Sequence, residues 1–401
     1  MARIIMHIDL NAFFAACEEL RDPSLKGRVV AIGSRGRSGI ISTANYEARK
    51  YGIHSGQPTF QAEALAKEAK RELIVLPSDF EYYHVMSASF FAFVKRYSPI
   101  IEQASVDEAY VDMTEPLSKA KDPVAYLRDM QNELKKETGL SCSIGIAPTK
   151  WLAKMASDMQ KPMGLVFIRR RDIPAIIYPL PIESFWGIGK KTSPALRSLG
   201  INTIGDLSAR LEAGDPILYK ELGKYADHVL QECRGRSSDI VDTDPFDPKS
   251  VSCSDTLMED ITSFAQAEPV LKRLSEEVSR RAKEEKKVGT TISLTVKDPA
   301  FHLHQKSITV DTPTRSASTI YSLACRLFRA HFDEKPGLSM RLLGIALGKL
   351  EDEAKQTVQM NFWNYGEYEA MDETKLLIAE FNRRYGKGGF KRASEAKKED
   401  K

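Results

Sequence analysis

Cysteine is scarce in this 401-residue chain: Cys17, Cys142, Cys233, Cys253 and Cys325 are widely scattered and odd in number. With no C-x-x-C pair they argue against a disulfide framework and structural zinc, and they suit a reducing compartment. Long apolar runs are missing too. None approaches the roughly eighteen residues needed to cross a bilayer, so no membrane partner is expected. Met1-Ala2-Arg3 leads straight into a strand-like run, so no secretory leader is expected and a cytoplasmic location is. Nor is there an excess of one charge: 58 Lys and Arg stand against 55 Asp and Glu, a net of +3. Bulk charge does not announce nucleic acid, and any such site has to be a local patch. What remains is a globular composition, 42% hydrophobic and 28% charged, too long for one ordinary core. Two to four domains are expected.

The chemistry is concentrated in Ser105-Val106-Asp107-Glu108-Ala109-Tyr110-Val111-Asp112. On a continuous strand, neighbouring carboxylates would point to opposite faces. A turn over Ser105–Glu108 between two short strands instead presents Asp107 and Glu108 together. Bare paired carboxylates repel and raise one another's pKa, a conflict that a hard divalent cation such as Mg²⁺ removes. Taken alone, the stretch also reads as an ordinary polar hairpin tip.

Upstream, Ile4-Ile5-Met6-His7-Ile8 reads as a buried strand delivering Asp9 at its end. Asn11 is expected to cap the next helix, with Phe13, Ala16, Cys17 and Leu20 on its core face. Phe14 falls off that stripe, either walling a pocket or packing as a second aromatic. Ser42 or Thr43 is expected to cap a short helix on which Tyr46 and Arg49, three apart, share a face suited to phosphate. Asp122–Thr138 reads as an amphipathic helix, Cys142–Ile146 as a strand, and Thr149 as the cap of a helix through Met159. In that helix Lys154 pairs with Asp158, and Lys161 sits just past its end beside Pro162. The order strand–helix–strand–strand–helix–strand suggests a ferredoxin-like α/β sheet, with Asp9 and the Asp107-Glu108 turn on neighbouring strands.

Residues 169–236 turn helical. Trp186-Gly187-Ile188-Gly189 fits a helix-hairpin-helix, whose backbone N–H groups bind a nucleic-acid phosphate without reading bases. Ser237–Pro248 reads as a linker. A second βαββαβ pattern follows over Ser250–Leu347, and Lys297, Lys306, Arg315 and Arg341 on or beside its strands suggest a basic sheet face. Beyond it, Gln359-Met360-Asn361-Phe362-Trp363 is an exposed-looking apolar cluster ahead of a helical stripe, and 387–401 reads as disordered.

Four motifs agree in order and spacing with a known family: His7-Ile8-Asp9-Leu10-Asn11-Ala12-Phe13-Phe14, Ser42 through Arg49, Ser105 through Tyr110, and Lys150 through Lys161-Pro162. With the Gly187-Ile188-Gly189 hairpin behind them, the chain resembles the Y-family DNA polymerases of the bacterial DNA polymerase IV type. The resemblance implies a right-hand, multidomain α/β architecture: a ferredoxin-like palm (1–12 and 76–168), small fingers (13–75), a helix-hairpin-helix thumb (169–236), a linker (237–247) and a βαββαβ little finger (248–350). It implies low-fidelity translesion synthesis from dNTPs on primer–template DNA, without proofreading, by a monomer.

It also implies that Asp9, Asp107, Glu108 and the Leu10 carbonyl hold two Mg²⁺ ions. Thr43, Tyr46, Arg49 and Lys161 would grip the triphosphate, and Phe14 would exclude a ribose 2′-hydroxyl. Gly187, Gly189, Lys297, Lys306 and Arg341 are the expected DNA contacts. In the tail (351–401), Gln359, Met360, Phe362 and Trp363 would engage a bacterial sliding clamp. Trp186 departs from the proline that commonly precedes this hairpin. The alternative reading is a catalytically impaired DNA-binding relative of the same fold.

Overall fold

A computed structural model describes residues 3–332 and 339–355. The peptide Gln359–Trp363 and the helical stripe after it lie outside the described residues. The chain forms two compact units, Met1–Phe246 and Asp247–Lys401.

The first unit begins with β1 (Ile5–Leu10), every residue of which is buried. Alternation splits it: Met6, Ile8 and Leu10 enter one core, whereas Ile5 enters the other. Asp9 therefore shares the face of Ile5 and His7. The helix Phe13–Arg21 follows, but Asn11 does not cap it. Ala12 holds the N-cap position in a left-handed conformation (φ 48°). The Asn11 amide is engaged instead by Ser143 Oγ at 2.8 Å and Tyr46 Oη at 3.2 Å. The buried stripe of this helix is Phe13, Ala15, Cys17 and Glu18, shifted from the expected one. Glu18 is buried because Tyr83 Oη donates to its carboxylate at 2.8 Å.

A small sheet that the sequence pattern did not separate comes next: β2 (Val29–Gly33), β3 (Ile41–Ala44) and β4 (Leu73–Leu76), in the order β3-β2-β4. Ser42 and Thr43 lie on β3 and cap nothing. Asn45 is the cap of the one-turn helix Tyr46–Arg49, its side chain accepting from Ala48 N at 2.9 Å.

Then come β5 (Ile101–Gln103), β6 (Glu108–Asp112), β7 (Cys142–Ala147) and β8 (Leu165–Phe167). With β1 they make a sheet in the order β5-β6-β1-β7-β8. Its first four strands have the expected ferredoxin-like arrangement. The helices Phe80–Val94 and Pro123–Thr138 contribute Phe90, Leu127 and Met130 to the core on one face. The helix Lys150–Met159 covers the other face, capped by Thr149 as expected. Gly145 on β7 permits that cover. A Cβ there would lie 2.1 Å from Ala153 O and 2.4 Å from Ser157 N. Only a glycine lets the helix backbone approach so closely.

The helical segment continues this second core, with Phe185, Ile188, Leu207 and Val229 packed on Trp151 and Leu152. Residues read as a free linker are partly strapped down. Ser238 O accepts from Lys150 N at 3.0 Å, Asp242 N donates to Glu102 at 2.8 Å, and Val241 is buried.

The second unit holds β9 (Ser250–Ile261), β10 (Lys287–Lys297), β11 (Leu303–Thr314) and β12 (Met340–Asp352), with the helices Phe264–Glu284 and Ala317–His331 on one face. Its elements follow the expected order, but the sheet runs β11-β10-β12-β9. The last strand is inserted between the first and second. In the first unit the third strand takes that place.

In the helix Ala226–Cys233, Glu232 is 3% exposed; His228 Nε2 lies 2.9 Å from one carboxylate oxygen, and the other has no partner. Burial pushes its pKa from 4.5 up to about 8. The folded state therefore keeps a proton that the unfolded chain releases, and this stabilisation is lost as pH rises from about 4.5 through about 8. Glu232→Gln, which needs no proton, should flatten the fall of melting temperature over that window. An unchanged pH slope in calorimetry would refute the assignment.

Candidate active site

Antiparallel pairing places Asp9 of β1 directly opposite Glu108 of β6. Directly paired residues project to the same face with Cβ atoms about 5 Å apart. Asp107 precedes the strand, in the turn that the sequence predicted. The turn is fixed from three sides: Leu10 N donates to Asp107 O at 3.0 Å, and Ala104 N and Ser105 N donate to Glu108 O at 3.0 and 3.2 Å. Ser105 Oγ donates to Asp107 Oδ1 at 2.6 Å. Asp9 and Glu108 thus face one another, and Asp107 sits in the adjoining turn with its carbonyl tied to Leu10.

Two ammonium groups stand among them. Lys154 Nζ lies 2.7 Å from Glu108 Oε1 and 3.3 Å from Asp9 Oδ2, with its side chain 9% exposed. Lys161 Nζ lies 2.7 Å from Asp9 and 2.8 Å from Asp158. Lys161 was expected at a phosphate; here it is paired to a carboxylate. Lys154 was missed. Its i,i+4 partner Asp158 is indeed near, at 3.5 Å, but that spacing concealed the longer reach across to β1 and β6. The available signal was weak: an inward lysine in a helix beginning three residues after a buried strand.

Charge in this cluster is strongly perturbed. Burial, then the facing Glu108 carboxyl, raises the Asp9 pKa to about 7. Burial also pushes Glu108 upward, yet the neighbouring His7, Asp9 and Lys154, the last donating at 2.7 Å, hold it below the usual range. Asp107 is raised by burial. His7, wholly buried beneath them, is held neutral by burial, and its Nδ1 meets Ser157 Oγ at 2.8 Å. Among the described residues no three acids, cysteines or imidazoles converge as a ready metal cage. An all-oxygen donor set that already draws in two cations has the right chemistry for hard divalent metal ions.

Around this centre, Phe14 is half-buried. It stacks on Tyr83 with centroids 4.4 Å apart and planes at 14°, and meets the edge of Phe80 at 6.0 Å. It is a braced wall, off the core stripe as expected. Tyr46 reaches the centre through Asn11, and burial raises its pKa. Arg49 lies over the Tyr46 ring at 4.8 Å and donates to Ala44 O at 2.9 Å. Thr43 is buried on β3 beside them.

These features bear on what the chain is related to. The model of the impB/mucB/samB family matches residues 8–158, its C-terminal domain 248–362 and its helix-hairpin-helix motif 170–201. DNA polymerase IV 1 of Bacillus subtilis is 34% identical over 403 residues, covering 100% of this chain and 94% of that protein. A solved Y-family DNA polymerase chimera of Dbh and Dpo4 superposes with TM-score 0.77 at 26% identity, covering 87% of this chain and 99% of the other. The chain belongs to the Y-family DNA polymerases. It is thus a DNA-directed DNA polymerase of the translesion class, and the family's chemistry is metal-dependent. Among the described residues no helix is long and apolar enough to cross a membrane.

The remaining expected residues of this polymerase are placed as follows. Gly187 has φ 112°, and a Cβ there would lie 2.6 Å from Tyr225 Oη. The hairpin it opens is pinned where Trp186 replaces the usual proline, since Trp151 Nε1 donates to Trp186 O at 2.9 Å. Gly189 O accepts from Thr192 N and Ser193 N at the start of the next helix. In the second unit the four basic residues do not share one face. Lys306 pairs with Leu294, on the helix-covered side, whereas Lys297 pairs with Leu342 on the open side. Lys297 and Arg341 lie 6.0 and 4.9 Å from the Phe301 ring, and Arg315 is paired to Glu353. The open face carries Ser254, Thr256, Ser293, Thr295 and Ser307 instead, a hydroxyl surface that strand spacing alone did not reveal.

Lys154→Ala leaves Asp9 and Glu108 with one counter-ion fewer, at a cost of roughly 1–3 kcal/mol to the metal-free protein. Its melting temperature should fall, and millimolar Mg²⁺ should recover more stability than in the parent. Equal Mg²⁺-induced shifts in scanning fluorimetry would show that Lys154 is not the internal counter-ion.

Proposed function

We propose that this polymerase transfers a nucleotidyl group from a dNTP to a primer 3′-hydroxyl at the Asp9–Asp107–Glu108 cluster. The reading rests above all on the pairing of Asp9 with Glu108 across adjacent strands, with Asp107 locked beside them. Asp9, Asp107, Glu108 and the Leu10 carbonyl would hold two Mg²⁺ ions, whose chemistry is to acidify the 3′-hydroxyl and neutralise the triphosphate and departing pyrophosphate. The chain's own residues do the rest. Thr43, Tyr46, Arg49 and Lys161 bind phosphate oxygens, and Lys161 releases Asp9 as it does so. Phe14, held by Tyr83 and Phe80, fills the volume a 2′-hydroxyl needs, because only a steric clash rejects an extra hydroxyl cheaply.

We assign residues 1–12 and 76–168 as palm, 13–75 as fingers, 169–236 as thumb, 237–247 as linker and 248–350 as little finger. The protein acts as a cytoplasmic monomer on primer–template DNA. Gly187 and Gly189 in the thumb, and Lys297 and Arg341 in the little finger, contact the DNA backbone; Lys306, on the opposite face of the sheet, does not join them.

Primer extension tests the core of this. Asp107→Ala/Glu108→Ala should keep primer–template affinity and lose nucleotide addition. Phe14→Ala should raise rNTP use by one to several decades, about 1.4 kcal/mol per tenfold, with dNTP use falling much less. Substantial extension by the first variant, or unchanged sugar discrimination by the second, would overturn the respective role.

Gln359, Met360, Phe362 and Trp363 dock into a bacterial sliding clamp, Phe362 and Trp363 as the apolar anchors. Phe362→Ala/Trp363→Ala should lose clamp-stimulated processivity at unchanged distributive synthesis. A lowered melting temperature without selective loss of stimulation would mean that the aromatics pack on the protein itself.

A further inference from the structure

The end of the five-stranded sheet remote from the carboxylates carries a groove of about 500 Å³. Its position follows from register. Ile5 pairs with Asp112 and Ala147, four residues from the Asp9–Glu108 pair, or about 13 Å along the strand. The floor is apolar, made by Leu117, Ile146, Pro148 and Phe167, and the rim is formed by Arg3, Arg169 and Arg170. Beyond Arg170 a second hollow of about 370 Å³ adds Arg234 and Arg236.

Acids nearby do not neutralise this rim. Arg3 lies 4.0 Å from Asp112 and donates to the Asp239 carbonyl at 3.1 Å. Arg234 is paired with Glu212 at 2.9 Å, and Arg171 lies 3.8 Å from Asp172. Arg170 donates to the Gly235 carbonyl at 2.8 Å. Asp172 accepts from Arg169 N at 2.9 Å, but among the described residues the guanidinium groups of Arg169, Arg170 and Arg236 are in no ion pair. Arg169 and Arg170 thus leave an excess of positive charge at the apolar groove, and Arg236 adds to it from the neighbouring hollow.

From this juxtaposition we infer that the groove docks a partner-protein segment in which an apolar side chain is flanked by carboxylates. Planar guanidinium groups favour carboxylate or phosphate, so the anion alone does not choose between protein and nucleotide. The floor does. Apart from the arginines, its side chains offer no donor or acceptor, so a nucleobase would bury polar edges without partners, at a cost. A leucine or phenylalanine side chain has no such edges, and the volume lies within the range of ligand-binding clefts. A phosphate rod of duplex DNA would satisfy the rim and leave the floor empty.

The test uses the full-length protein and a fluorescein-labelled peptide of about ten residues, Glu-rich with one central Phe, read by anisotropy in low salt. Binding should weaken at least about tenfold when Arg169→Glu is introduced, when the probe Phe becomes Ser, and when its Glu residues become Gln. Melting temperature and primer extension of Arg169→Glu should match the parent, since Arg169 has no part in the active site. No binding up to millimolar protein overturns the inference. Binding indifferent to Arg169→Glu or to the Phe-to-Ser probe overturns it as well, and marks nonspecific charge attraction. Displacement by a dNTP or duplex DNA as readily as by unlabelled peptide assigns the groove to nucleic acid and retires the protein partner.

Discussion

The carboxylate cluster depends on one close contact: the helix Lys150–Met159 lying backbone-to-backbone on β7 at Gly145. His7 is the register partner of Gly145 on β1, and Ser157, whose amide would clash with any Cβ at Gly145, also hydrogen-bonds His7. That contact sets the depth at which Lys154 enters the sheet face between Asp9 and Glu108. A larger residue at 145 would lift the helix, withdraw Lys154, and leave two facing carboxylates exposed to each other's charge. The same helix begins where the strapped segment Ser238–Asp242 is tied through Lys150 and Glu102, so its position is fixed at both ends.

The carboxylate cluster is arranged so that a cation is in demand. Burial drives Asp9 toward its neutral form, while hydrogen bonds keep Glu108 ionised, and the lysines divide the remaining charge. Such an arrangement costs stability and is tolerated where function needs it. The surrounding parts are by contrast held in single geometries. Tyr83, nearly fully buried and tied to Glu18, supports the Phe14 ring, and the Asp107 turn is locked by Leu10.

The two α/β units illustrate how one order of elements yields two sheets. Both read βαββαβ along the chain, and in both the second and third strands form a hairpin. They differ in which strand enters the gap left by the first right-handed crossover. Among the described residues of the second unit no helix covers one face, which is lined with Ser and Thr and suited to phosphate contact that does not read sequence.

Much of this was written locally in the chain. The apolar run Ile4–Ile8, the capping residues Asp122 and Thr149, and the helical stripes of the second unit rest on neighbours within a few residues, and the elements form where those patterns place them. The pairing of Asp9 with the Asp107-Glu108 turn was legible because a ferredoxin-like order makes those strands neighbours. Other features arise only from packing. Asn11 lost its capping role to Ser143 and Tyr46, more than thirty residues away in either case. Lys306 and Lys297 fell on opposite faces because register, not spacing, assigns sides across a hairpin. Lys154 looked like half of a helical ion pair. It became part of the carboxylate cluster because a glycine on another strand let its helix come close enough, a distance that no one-dimensional pattern contains.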